Sequence, residues 1–144
     1  MTQSLTGRAV FGTFDGTTSS IGVVSGLLVA HATPATILTT AVGLAVASMV
    51  GMGFGDWLGG ATRVQAAVMG AATFAGSLLP ALPLAANRGP YGYTLAGLLV
   101  AGLAVAISET RAHHGRLRAY LSTATTLAVA STLSVGAAIL VGAA

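Results

Sequence analysis

The chain has no cysteine and no lysine, only three acidic residues, and 6% charged residues over 144 positions. The missing cysteine excludes disulfides, thiolate metal sites and thiol catalysis. The scarcity of charge excludes a water-facing surface, because a soluble domain carries about a quarter of its residues charged. No phosphate loop, nucleophile–base pair or cofactor box stands out, so neither an enzyme nor a resident cofactor is expected. The net charge of +3 comes from six arginines. They fall mostly between apolar blocks and read as topology signals, with no case for nucleic-acid binding.

What is abundant is apolar: 54% of the residues are hydrophobic and 20 are glycine. A spanning helix needs about 20 mostly apolar residues. Five stretches qualify, at about 9–31, 35–60, 64–86, 93–109 and 119–143. The breaks between them, "ATPA", "ATRV", "NRGPYG" and "TRAHHGRLR", carry turn chemistry or charge. The period-2 alternation of a membrane barrel is missing. The expected fold is an all-α integral membrane protein with five transmembrane helices in one domain, 1–144. Placing Arg8, Arg63, Arg111, Arg116 and Arg118 in the cytoplasm leaves only Arg88 outside. That predicts a cytoplasmic N-terminus and an external C-terminus. "LLVAHA" imitates a leader cleavage site, but Asp15 and "TTSS" interrupt the segment after Arg8, so it reads as a retained helix. The all-arginine, Ala/Gly-rich composition suggests a GC-rich bacterial genome and the bacterial inner membrane.

Small residues recur at four-residue spacing: Gly12 with Gly16, Gly22 with Gly26, and Gly51 with Gly55 and Gly59. That spacing lets helices approach closely in a membrane, and the triple is its fullest instance.

The acids are Asp15, Asp56 and Glu109. An acid within the bilayer is costly, by at least ~2.5–3.5 kcal/mol, and usually faces a polar cavity. Counting from the expected helix ends puts Asp15 roughly 9 Å deep and Asp56 roughly 6 Å deep on antiparallel neighbours. Met52 at i−4 and Met49 at i−7 share the face of Asp56. Two carboxylates with thioethers make a ligand set for a divalent transition metal: Fe²⁺ first, then Mn²⁺, Co²⁺ or Zn²⁺. An empty carboxylate in low dielectric tends to hold a proton, and a metal would expel it. Metal-for-proton exchange follows. Each residue also has a plainer role: Asp15 as a helix cap, Asp56 and Trp57 at the interface, the methionines as filler.

At these residues the chain resembles the vacuolar iron transporter family. "FGTFDGTTSSIGVVSGLLVA" is similar to its first helix, an Asp-Gly pair followed by small residues. In "MGFGDWLG", Met52, Gly55, Asp56 and Trp57 occupy the places of a Met-x-x-Gly-Glu-Tyr-like pattern. "GSLLPALPL", with Gly76, Pro80 and Pro83, resembles its third helix, and "LAVASTLSVG" its last. The resemblance implies a homodimer of five-helix subunits exporting Fe²⁺ and related metals from the cytoplasm against protons. It implies a pathway at the dimer interface that uses Asp15, Met52 and Asp56, with four carboxylates around a two-fold axis. Two departures stand out. Asp56 replaces the family's Glu, and "GGATRVQ" leaves no room for the Glu-rich metal-binding domain that many members insert there.

Glu109 and His113, at i and i+4, form a second candidate pair at the cytoplasmic mouth. A solvated loop is the plainer reading of that stretch. Pro80 and Pro83 are expected to kink the third helix, and His31 to sit in a loop. Two rival functions stand beside metal export. One is a small multidrug-type antiporter, which would want more aromatics around its carboxylate. The other is a non-transporting membrane subunit.

Overall fold

The computed structural model describes residues 4–86, 90–110 and 115–141. Among them the chain is helical without strands: α1 (Leu5–Val29), α2 (Pro34–Leu58), α3 (Arg63–Leu78), α4 (Ala81–Ala86), α5 (Pro90–Thr110) and α6 (Arg116–Leu140). Arg88, Arg111 and His113 lie outside the described residues.

The helix ends follow from local chemistry. Ser4 caps α1 by accepting the Gly7 N–H at 3.1 Å, so the helix begins a turn before its apolar stretch. Thr33 caps α2, with Pro34 at the first position. Thr62 and Gln65 form a reciprocal capping box at the start of α3, with bonds of 2.9 and 3.3 Å. α1 and α2 end alike. Ala32 and Ala61 N–H groups return to the Leu27 and Asp56 carbonyls at 3.0 and 3.1 Å. This terminator places one residue in the left-handed region. Gly60 does so at φ 94° and His31 at φ 52°.

The expected span 64–86 is two helices, α3 and α4, with a turn at Leu79 and Pro80. The cause is Pro80. It has no N–H, so the Gly76 carbonyl loses its helical partner. Thr17 of α1 takes that place. Its Oγ1 lies 3.2 Å from the Gly76 carbonyl and 2.8 Å from its own Thr13 carbonyl, and one hydroxyl hydrogen serves both.

Among the described residues, four stretches are long and apolar enough to cross a membrane: Pro34–Leu58, Arg63–Ala86, Tyr91–Thr110 and Arg116–Leu140. Their outward faces show Leu98, Leu133 and Leu140 at 66%, 69% and 88% exposure, a display suited to lipid and not to water. α1 has comparable length, but Asp15 and "TTSS" reduce its apolarity. Its small polar residues turn inward instead: Gly12, Gly16, Thr17, Ser20 and Gly22 are all buried.

α3 is the chief neighbour of both α1 and α2, which touch each other far less. Glycine makes the close approach possible. A Cβ on Gly12 would stand 2.6 Å from the Met69 carbonyl, and one on Gly16 would strike the Thr73 carbonyl. Gly76 faces Thr13 in the same way. Across α2 and α3, a Cβ on Gly70 would stand 2.8 Å from the Met49 carbonyl. Gly22 and Gly26 admit Ser134 and its neighbours on α6. The residue pairings make α1, α3 and α6 parallel and α2 antiparallel to them. The glycine triple behaves differently from the pairs. Gly51 and Gly55 face open space within the chain. An apolar core of Val24, Ile37, Ala41, Ala81, Leu84 and Ala96 closes the opposite end of the bundle.

Candidate functional site

The C-terminal turn of α2 lies beside the first turns of α1, and there Arg8 and Asp56 form an ion pair. Their side chains are 10% and 17% exposed. Arg8 is not a free topology charge: it is buried against α2. The terminator after α2 helps fix this, since the Asp56 carbonyl itself holds the turn through Ala61. One oxygen of Asp56 meets Arg8. Its Oδ2, like Arg8 Nε, is buried without a hydrogen-bond partner among the described residues.

A cavity of about 440 Å³ opens at this pair, lined by Arg8, Phe11, Gly51, Met52, Gly55, Asp56 and Met69. It brings together two of the expected residues, Met52 and Asp56, and adds Met69 from α3, which is 4% exposed. Met69 had a readable signal. It stands six residues into α3 from Arg63, about 9 Å, which is the depth argument already applied to the acids. Arg8 carried no such signal, because an arginine at the start of an apolar helix reads as an interfacial anchor.

The other candidates lie elsewhere. Met49 lines a separate groove of about 400 Å³ between α2 and α3, with Phe54, Trp57 and Arg63. Phe54 and Trp57 meet edge to face there, 6.1 Å between centroids. Asp15 is half-buried on α1 and has no hydrogen bond or ion pair among the described residues. It follows Arg8 by seven residues, about 10 Å along the helix. The two aspartates therefore occupy different levels of the bundle. Among the described residues no three acids or histidines come together as a ready-made ligand cluster. Glu109 is already engaged: it accepts from Tyr120 Oη at 2.7 Å and pairs with Arg116 at 3.6 Å, tying α5 to α6. A third hollow, about 750 Å³ between α1 and α6, is lined by Thr18, Arg118, Leu121 and Thr125 among others, with no carboxylate.

The Asp56 cavity is thus a polar opening among apolar helices. It offers a carboxylate oxygen with no protein partner, two thioethers, and one fixed positive charge. Such a set can hold a cation only where that positive charge yields or stays distant. No family model, curated protein or solved structure matches the chain.

Proposed function

We propose that the protein is a proton-coupled transporter that moves a divalent transition metal out of the cytoplasm, Fe²⁺ first and Mn²⁺ second. The observation that carries this reading is Asp56 lining a cavity with Met52 and Met69 while its Oδ2 is buried without a hydrogen-bond partner among the described residues. Carboxylate oxygen with thioether sulfur favours softer divalent metals over Mg²⁺ or Ca²⁺. A soluble binding role does not explain such a group among membrane-length helices.

The finer parts of the reading are those implied by the vacuolar iron transporter resemblance: five spans with α1 as the fifth, cytoplasmic N-terminus, external C-terminus, bacterial inner membrane, and a two-fold homodimer. Open space beside Gly51 and Gly55 supports a second copy against that face, where it would close the Asp56 cavity. Asp15 faces no cation among the described residues and is the carboxylate suited to carry the exchanged proton. A multidrug reading is less well supported, since Phe54 and Trp57 line a different groove from Asp56.

Fe²⁺ flux into proteoliposomes with an acid interior tests the proposal. Gradient-dependent uptake by the wild type, lost in Asp56→Asn and in Asp15→Asn at equal folded protein, is expected. Absence of flux from well-folded, correctly oriented wild type overturns it in favour of a non-transporting subunit.

A further inference from the structure

We infer that Arg8 is the resting counter-cation of Asp56, and that a divalent cation reaches Asp56 only by displacing its guanidinium. This rests on the transport reading and adds a selectivity element to it. Three observations carry it. Arg8 is 8% exposed, so it is committed to the α1–α2 contact and is not a solvated anchor. It binds the same carboxylate whose second oxygen is buried without a hydrogen-bond partner among the described residues, so any cation on Oδ2 sits within a few bonds of the guanidinium. Two cations on one carboxylate in a low-dielectric cavity repel strongly. And the cavity that Arg8 itself lines, about 440 Å³, gives the guanidinium room to leave.

The exchange balances without a proton at Asp56. The guanidinium–carboxylate contact breaks, a metal–oxygen bond forms, and Arg8 keeps its proton throughout, as arginine does in proteins. Arg8 discriminates among cations as well. A cation must outbid a tethered guanidinium, which a monovalent ion does poorly and a divalent ion with thioether ligands does well.

The test uses the full chain in detergent with Co²⁺ as probe. The sequence has one tryptophan, Trp57, which follows Asp56 in the chain and lines the neighbouring groove, so energy transfer from it to a Co²⁺ held at Asp56 reports binding as quenched fluorescence. Removing the competitor raises the competent fraction of the site, so Arg8→Gln should half-saturate at about tenfold lower Co²⁺ or less. Arg8→Lys keeps the positive charge and should stay closer to wild type than to Arg8→Gln. Asp56→Asn should lose the response. A wild-type response with no tightening in folded Arg8→Gln overturns the displacement alone. No response from wild type, Arg8→Lys or Arg8→Gln overturns the metal reading itself. Should Arg8→Gln not fold, the wild type decides. Co²⁺ should accelerate phenylglyoxal modification of Arg8, read by mass spectrometry, and an unchanged or slower rate overturns the displacement.

Discussion

The hydroxyl of Thr17 on α1 reaches the carbonyl of Gly76 on α3, the one that Pro80 leaves without a helical partner. A break in one helix is therefore sealed by a side chain from another, 59 residues away in sequence. Thr17 is 2% exposed, so water cannot take over the bond.

Thr17→Val keeps the shape and removes the donor. It should destabilise the folded protein by about 1–3 kcal/mol, the range for a buried polar group left unsatisfied. Thr17→Ser should recover most of that. Thermal unfolding in detergent, followed by circular dichroism, reads the difference. Equal melting of Thr17→Val and wild type would mean the Gly76 carbonyl finds another partner.

The glycines should sort by location. Gly16→Ala and Gly76→Ala each drive a Cβ into backbone of the facing helix, and overpacking of this kind costs about 1–3 kcal/mol or more. Gly51→Ala meets nothing within the chain and should leave the fold of a single copy intact. The same melting assay compares them. If Gly51→Ala instead alters the oligomeric state on a sizing column, that face belongs to an interface between copies.

His31 occupies a left-handed terminator position, which strains an L-residue by roughly 1–2 kcal/mol. His31→Gly should therefore melt higher, by the equivalent of about 0.5–1 kcal/mol after the added freedom of glycine in the unfolded chain. A lower melting temperature would show that the imidazole makes a favourable contact of its own.

The two arginine–carboxylate pairs should differ in weight. Arg8→Ala leaves a buried carboxylate uncompensated, a change worth about 3–5 kcal/mol. Arg116→Ala removes an exposed partner of Glu109, with side chains 77% and 45% exposed, and should cost about 0–1 kcal/mol. Chemical denaturation of both variants in one detergent measures the contrast. Comparable losses would contradict the burial of Arg8.

Much of this protein is legible without coordinates. Apolar runs of the right length mark α2, α5 and α6, because a membrane accepts only backbone that satisfies its own hydrogen bonds. The breaks "ATPA" and "ATRV" mark where α2 and α3 begin, and the structure shows Thr33 and Thr62 capping there. Asp56 stands out because a carboxylate in an apolar helix is costly wherever the helix packs.

Tertiary structure decided the rest, and for one reason: contacts between helices depend on which face each one turns to its neighbours. Helical spacing put Met49 and Met52 on one face with Asp56, yet packing on α3 sends Met49 to another groove and brings Met69 in. Glycine spacing favoured the triple, yet the pairs on α1 make the close contacts and two of the triple, Gly51 and Gly55, lie open. A depth count set Asp15 beside Asp56, yet the cation beside Asp56 is Arg8. Sequence determined that an acid lies within membrane-length helices. Only the packing of α1 against α2 and α3 decided that its partner is a tethered guanidinium.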